Sequence, residues 1–204
     1  MLPPRVRLVL TGLVACAAAA VIGVYIADAR RDRTATATPA GAFAGSIRPP
    51  GLPVPELALR DQDGELVRMS AFRGRPVVMT FVYSTCRDTC PAQVQTIRGA
   101  LDDLGTDLPV VAVSVDPQND TPRRAKRFLA EQRMTGRAHF VLGSREELEP
   151  VWRAYGVRPQ RGALDHTAYA VIVDGEGRQR VGWPYDHLTV EGLTADLRRL
   201  LSAA

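Results

Sequence analysis

Two of the three cysteines in this 204-residue chain, Cys86 and Cys90, lie close together in the segment Cys-Arg-Asp-Thr-Cys-Pro. Four-residue spacing lets both sulfur atoms face one point, where they can bind a soft metal ion or close a small disulfide ring. Dithiol redox centres usually have two residues between their cysteines, so a third residue favours a metal. In the alternative interpretation, both cysteines are buried structural residues that take no part in metal binding or disulfide exchange. The spacing by itself leaves metal binding and disulfide exchange both open.

The chain has three histidines that are candidates for a further ligand. His166 follows Asp165 at the start of a predicted strand, after a segment that could fold over the cysteine pair. His139 begins a short predicted strand and is interpreted as structural or solvent-facing, and His187 lies in a loop after the late strand. Two thiolates and one imidazole suit Cu(I), keep Cu(II) within reach, and can also bind zinc with a water molecule. Asp165 either orients a ligand or caps the start of the strand.

The cysteine pair lies where a buried strand is predicted to end and a helix to begin. The β-branched and aromatic run Val77–Tyr83 predicts a strand that is buried on both faces. The carboxyl ends of strands are the usual ligand face of an open α/β sheet. Pro91 opens a helical pattern and disfavours helical geometry at Cys90, which predicts the pair in the loop and the first turn. The helix dipole and the adjacent Arg87 both favour thiolate over thiol.

Strand and helix patterns alternate through the rest of the domain. Helices between buried strands indicate parallel pairing, and a late hairpin at Gly175–Gly177 indicates a mixed sheet. An earlier hairpin is predicted at Asp63 and Gly64. We therefore expect one α/β domain. Its further predicted elements are strands at Val110–Val115, His139–Leu142 and Thr167–Asp174, helices that start at Asp120-Thr121-Pro122 and at Ser144, and a last helix that carries Leu193, Leu197, Leu200 and Leu201.

An uncharged, apolar run extends from Leu8 to Ala27 and is bracketed by arginines. Twenty residues at about 1.5 Å each span the ~30 Å hydrocarbon core of a bilayer. We predict a single transmembrane signal-anchor helix at residues 8–27, after a short flank at 1–7. A cleaved signal peptide and a lipoprotein lipidated at Cys16 are less favoured alternatives. Residues 28–52 are predicted to form a flexible linker, and residues 53–204 the folded domain.

Composition and charge exclude several classes of protein. With 46% hydrophobic residues and three cysteines, the chain is neither intrinsically disordered nor a disulfide-dense miniprotein. The net charge of +4 owes much to the arginines beside the apolar run, so it gives little support to a nucleic-acid partner. The basic stripe Arg123–Arg127 is interpreted as a solvated helix face, with docking of a partner as the alternative.

Three segments follow one another along the chain, namely TFVYSTCRDTCP, VVAVSVDPQNDTP and DHTAYAVIVDGEG. Together they resemble the SCO/SenC family of membrane-tethered, thioredoxin-like copper chaperones. The resemblance implies a thioredoxin-like mixed sheet flanked by helices, with a hairpin insertion, and copper as Cu(I) or Cu(II). It implies Cys86 and Cys90 as copper-binding, redox-active cysteines and His166 as the distal ligand. Asp116 matches a supporting acidic position, whereas Arg87 stands where the family often has proline.

The resemblance also implies delivery of copper to the binuclear copper centre of cytochrome c oxidase, or reduction of the cysteines of that centre. We therefore expect a copper metallochaperone rather than a turnover enzyme, with the copper-receiving oxidase subunit or another copper chaperone as its partner. A thiol–disulfide oxidoreductase that reduces a partner's cysteines is the first alternative, and a thiol peroxidase is the second. The redox chemistry favours a C-terminal domain on the periplasmic or extracytoplasmic side of the membrane.

Overall fold

The computed structural model of the chain describes residues 42–52, 54–158 and 168–203. The chain divides into two units, Met1–Ala42 and Phe43–Ala204, and every helix and strand described below belongs to the second, which we call the folded unit. The predicted anchor at residues 8–27 lies outside the described residues. Across the described ranges, no helix is both long enough and apolar enough to cross a membrane.

Eight described strands form one six-stranded sheet and one hairpin. In chain order they are β1 (Ser46–Ile47), β2 (Ala58–Arg60), β3 (Leu66–Arg68), β4 (Val77–Val82), β5 (Val110–Ser114), β6 (Ala138–Val141), β7 (Tyr169–Val173) and β8 (Gln179–Pro184). The order of the large sheet is β1-β8-β7-β4-β5-β6. Strands β4, β5 and β6 pair in parallel, and β7, β8 and β1 extend the sheet in antiparallel pairs. The predicted mixed sheet is therefore confirmed.

Four described helices connect or follow these strands, and two of them begin at the predicted caps. They are α1 (Thr89–Leu104), α2 (Pro122–Glu131), α3 (Arg145–Tyr155) and α4 (Val190–Ser202). The hydroxyl of Thr121 accepts a hydrogen bond from the backbone N–H of Arg124 and caps α2. Ser144 and Glu147 form a reciprocal capping box at α3. Because such caps satisfy N–H groups that lack partners within the helix, these residues fix where both helices start.

Strand β4 separates two hydrophobic cores, since successive side chains of a strand point to opposite faces. Val78 and Val82 pack into a core that includes residues of α1, α2 and α4. Met79 and Phe81 pack into a second core that includes residues of α3 and of the hairpin. All six residues of β4 are buried, as the continuous apolar run predicted. The central strand β4 thus packs against a hydrophobic core on each face, so its carboxyl end is a well-ordered position for a site.

The small hairpin of β2 and β3 was predicted at Asp63 and Gly64 and is confirmed. Gly64 has a φ of 86°, a backbone conformation that glycine adopts without strain. The side chain of Gln62 accepts a hydrogen bond from the backbone N–H of Phe140 at 2.6 Å. The hairpin is therefore attached to the edge strand β6.

Strand β1 lies within the range 28–52 that the sequence predicted as a linker. Ser46 and Ile47 pair with β8. The buried carboxylate of Asp196 in α4 accepts hydrogen bonds from the backbone N–H groups of Ala44 at 2.7 Å and of Gly45 at 3.0 Å. These partners come from distant parts of the chain, and so the local composition gave no sign of them.

Candidate copper and thiol site

The two cysteines lie at the junction of β4 and α1. Cys86 is in the loop after β4, and Cys90 is in the first turn of α1. This confirms the predicted position of the pair. The helix begins at Thr89, two residues before Pro91, although Pro91 was expected to open it. A proline in the first turn lacks only an N–H that has no partner within the helix, so the helix can extend past it.

The first turn of α1 holds the sulfur of Cys86 through two contacts. The backbone N–H of Cys90 donates a hydrogen bond to Cys86 Sγ at 3.3 Å, and Cys86 Sγ lies 3.8 Å from the hydroxyl oxygen of Thr89. Neither cysteine forms a disulfide bond. Cys90 is completely buried, whereas 8% of Cys86 is exposed. Cys86 is therefore the sulfur that an incoming group meets first.

Hydrogen bonds make the two thiols chemically unequal. A hydrogen bond from the Cys90 thiol is the largest cause that lowers the pKa of Cys86, to about 4, and the Asp88 and Cys90 backbones and the Tyr83 side chain lower it further. The same interaction, followed by burial, raises the pKa of Cys90. The thiolate is the form that attacks disulfides and binds metals. The pair thus consists of an outer thiolate and an inner thiol that keeps its proton.

A polar groove of about 580 Å³ opens beside the outer cysteine. We call it the Cys86 groove, and it is lined by Ser84, Thr85, Cys86, Arg87, Pro91, Arg127 and Glu131. The sequence predicted that Arg87 favours the thiolate. Arg87 does lie in this groove, but hydrogen bonds come first among the causes of the lowered pKa of Cys86. Cys86 therefore borders an open, polar groove.

A buried carboxylate that the sequence indicated only as part of a helix start holds the loop in front of Cys86. Asp120 accepts hydrogen bonds from the backbone N–H of Ser84 at 2.7 Å and from its hydroxyl at 2.5 Å. The other carboxylate oxygen accepts from the hydroxyl of Ser114, at the end of β5, at 2.5 Å. Burial raises the pKa of Asp120. Because Thr121 is the residue that caps α2, the neighbouring Asp120 is free to connect the loop before Cys86, the end of β5 and the start of α2. We call this end of the sheet, where β4 and β5 have their carboxyl ends, the cysteine edge.

Asp116, the predicted supporting residue, makes its side-chain contacts within its own turn. Its two carboxylate oxygens accept from the side-chain amide of Asn119 at 3.1 and 2.9 Å. Its backbone carbonyl accepts from the N–H of Asp120 at 2.9 Å. Asp116 therefore shapes the turn that presents Asp120, and a closer role at the cysteines stays a prediction.

The predicted third ligand, His166, and its neighbour Asp165 lie outside the described residues. Strand β7 pairs with β4 so that Ala170 faces Thr80, which puts the start of β7 at the edge where β4 ends. The side-chain amide of Gln93, three residues after Cys90 in α1, donates to the carbonyl of Tyr169 at 3.0 Å. The chain therefore returns to the cysteine edge of the sheet within three residues of His166.

The other two histidines are described. Nδ1 of His139 lies 2.8 Å from the buried carboxylate of Asp61 in the hairpin, which agrees with its interpretation as structural. His187 is exposed in the short 3₁₀ turn Tyr185–His187. Within the described part of the chain, no group of three or more histidine, cysteine, aspartate or glutamate side chains is arranged to hold a metal ion. Of the three predicted ligands, Cys86 and Cys90 are the two that the structure describes.

Known proteins resemble this chain in sequence and in fold. A putative copper-binding protein of Stutzerimonas stutzeri is 28% identical over 110 residues, which are 51% of this chain and 52% of that protein. Bradyrhizobium japonicum ScoI, solved with copper bound, is 28% identical with a TM-score of 0.60, over 72% of this chain and 98% of that one. BsSco, a member of the Sco family of cytochrome c oxidase assembly proteins in which a disulfide switch was identified, has a TM-score of 0.67 at 20% identity, over 78% of this chain and 99% of that one.

The likeness to BsSco concerns the fold, which is thioredoxin-like, with a mixed sheet flanked by helices as expected. The matches to curated relatives cover between 34% and 65% of those proteins' own length. The SCO1/SenC family model matches residues 51–202, which include both cysteines and nearly all of the folded unit. On this evidence the chain belongs to the SCO1/SenC family.

Proposed function

We propose that this protein is a copper metallochaperone that binds copper through Cys86, Cys90 and His166. The supporting observation is the unequal thiol pair, whose outer sulfur is held as a thiolate beside an open groove. Thiolate ligands favour Cu(I), and an imidazole keeps Cu(II) within reach. Copper is bound by the related ScoI, and copper binding is also named for the Stutzerimonas relative.

The donor set fits copper as a cargo that is taken up and released. Metal binding replaces the thiol proton of Cys90, so uptake releases a proton and requires both cysteines to be reduced. His166 is inferred as the third ligand because β7, which follows it, starts at the cysteine edge. Cys86, one of the three proposed ligands, is partly exposed. An incoming thiolate therefore reaches the metal through the Cys86 groove and can replace one of its ligands.

We infer that the recipient is the binuclear copper centre of cytochrome c oxidase, or another copper chaperone. The structural likeness to BsSco, from a family of oxidase assembly proteins, supports this assignment. We also infer that residues 8–27 anchor the protein in a membrane, with the folded unit on the extracytoplasmic side. The apolar run with flanking arginines supports the anchor, and a chemistry based on reactive thiols supports that side.

Copper titration of the reduced protein tests the proposal. The full chain is used in a Cys16→Ser background and a non-ionic detergent, so that Cys86 and Cys90 are its only thiols. We expect one copper ion per chain, no binding after Cys86→Ser, and affinity lowered at least ~10-fold after His166→Ala. His187→Ala is the matched control, because His187 is an exposed histidine. Unchanged copper affinity in His166→Ala would show that the three-ligand site is wrong.

Thiol–disulfide exchange is the second candidate function, and the unequal pKa values favour it specifically. A thiolate at Cys86 attacks a partner disulfide, and the thiol of Cys90 then resolves the mixed disulfide. The disulfide switch in BsSco is consistent with such chemistry. If His166→Ala reduces a partner disulfide at the full rate and cells that carry it show no copper defect, exchange rather than copper delivery is the function.

A further inference from the structure

Basic residues outnumber acidic residues around the Cys86 groove. Arg87 and Arg127 line it together with one acidic residue, Glu131. Arg87 is exposed, and no described carboxylate forms an ion pair with it. The pair between Arg127 and Glu131 is long, at 3.8 Å, with both side chains more than 60% exposed. Exposed pairs of residues four positions apart on a helix contribute little to stability, so Arg127 is free to change partner.

Helix α2 extends this positive charge away from the groove. It carries four basic residues and one acidic residue. Lys126 is engaged by Asp63 at 2.9 Å, and the guanidinium of Arg124 donates to the carbonyl of Asn119 at 2.7 Å. Arg123 lies one helical turn before Arg127, on the same face, because side chains four residues apart are neighbours on a helix. Arg123 and Arg127 thus form a positive stripe that leads to the groove.

The lining of the groove also indicates what kind of surface fits it. The six lining residues other than the reactive Cys86 are all serine, threonine, arginine, glutamate or proline. The large exposed apolar side chains of the described residues, Ile47 and Leu66, are not among them. An apolar helix would therefore find no complementary surface here, whereas carboxylates would find two guanidinium groups.

We propose that the Cys86 groove and the stripe of Arg123 and Arg127 dock an acidic segment of the partner protein that exchanges copper or electrons with Cys86. The inference rests on the proposed function, because it names the chemistry of the partner at that site. Arg87 and Arg127 line the groove beside Cys86, so their guanidinium groups lie where they can pair with aspartate or glutamate side chains that flank the reacting thiol of a partner. Charges of opposite sign also raise the rate of encounter, an effect that salt screens.

Two synthetic peptides provide the test. Acetyl-Glu-Gly-Cys-Gly-Glu-amide and acetyl-Lys-Gly-Cys-Gly-Lys-amide are each joined to thionitrobenzoate through a disulfide. The thiolate of Cys86 attacks the peptide sulfur, the bond to thionitrobenzoate breaks, and the coloured thiolate leaves. Cys90 then attacks the mixed disulfide, loses its proton to solvent and releases the peptide thiol. The protein dithiol is oxidised to a disulfide while the peptide disulfide is reduced to two thiols, so the electrons balance.

The measured quantity is the ratio of the rates for the acidic and the basic peptide, in the reduced Cys16→Ser chain. A ratio cancels any change in the intrinsic reactivity of Cys86. We expect about a tenfold preference for the acidic peptide at low ionic strength, which falls below about twofold at ~0.5 M salt. Arg127→Glu should abolish or reverse the preference. Arg75→Glu is the control with the same change of charge, because exposed Arg75 precedes β4 and lies at the opposite edge of the sheet from Cys86.

Three results would overturn the docking surface: equal rates for the two peptides at low salt, a preference that salt does not change, or equal effects of Arg127→Glu and Arg75→Glu. Copper titration of the same proteins separates this outcome from failure of the proposed function. Normal copper binding by Arg127→Glu with a lost preference supports the docking surface. If the parent protein binds no copper, the metallochaperone proposal fails, and the peptide rates still decide whether the groove selects acidic partners.

Discussion

The substitution Asp120→Asn separates the charge of a buried carboxylate from its shape. Asp120 is 9% exposed and accepts three hydrogen bonds, two from Ser84 and one from Ser114. Asparagine keeps a carbonyl oxygen for Ser84, and the hydroxyl of Ser114 can rotate to accept from the new amide. We expect the loop before Cys86 to keep its course, so the change reports mainly on the cost of the buried charge.

The sign of the effect follows from the raised pKa of Asp120, which burial causes. A carboxyl whose pKa is higher in the folded than in the unfolded state contributes stability that is complete below the unfolded pKa of about 3.9. This contribution is lost as the pH rises through the folded pKa of Asp120. Each pH unit between the two pKa values corresponds to about 1.4 kcal/mol. Asparagine does not titrate and loses nothing over the same range.

The free energy of unfolding should therefore differ between the two proteins in a pH-dependent way. Near pH 4 we expect Asp120→Asn to be less stable by about 1 kcal/mol, because one hydrogen bond is replaced by a weaker one. Towards pH 8 this deficit should shrink or change sign. Asp120→Ala should cost about 3 kcal/mol near pH 4, at ~1 kcal/mol for each of the three bonds it removes.

Urea unfolding of residues 43–204 from pH 4 to 8, followed by tryptophan fluorescence, gives these free energies. The buried Trp152 and Trp183 provide the signal. Groups with lowered pKa values, such as Asp174, are present in both proteins and cancel in the difference. Asp186→Asn is the control, because this carboxylate is 74% exposed. The free energy of unfolding of this variant should stay close to that of the parent protein at every pH. A deficit of Asp120→Asn that is constant or grows with pH would refute the reasoning.

Two further predictions concern the thiols and the first described strand. The lowered pKa of Cys86, about 4, predicts that it is alkylated by iodoacetamide at pH 6 while Cys90 is spared. Peptide mass mapping checks this, and equal labelling of both residues would contradict it. Asp196→Ala removes the acceptor of the Ala44 and Gly45 amides, so both amides should exchange with deuterium at least ~10-fold faster, at a cost of about 1–2 kcal/mol in stability. Unchanged exchange would show that β1 is held by its pairing with β8 alone.

Much of the scaffold could be predicted from local patterns in the chain. The unbroken apolar run of β4, the hairpin at Asp63 and Gly64, and the cap at Ser144 each depend on residues within a few positions of one another. Local propensity and side-chain patterning decide such features. The position of the cysteine pair followed in the same way, because a buried strand before Cys86 and a proline after Cys90 bracket the junction.

The remaining parts of the site depend on contacts between distant residues. Asp120 lies 36 positions from Ser84 in the chain, and its sequence context indicated no more than a helix start. Asp196 and Ala44 are 152 positions apart, which is why the linker was predicted to run through β1. No periodicity or spacing encodes which buried carboxylate meets which backbone N–H.

By itself, the sequence determined the chemistry available to this protein: a pair of soft ligands at a strand-to-helix junction, arginines beside them, and a family resemblance that the family model bears out. Only the tertiary structure decided how the two thiols differ. Cys86 is a partly exposed thiolate and Cys90 a buried thiol because the first turn of α1 aims an N–H and a thiol at one sulfur while the core covers the other. Spacing brings two cysteines together, but burial and hydrogen bonding, which the packed chain alone sets, assign them unequal roles.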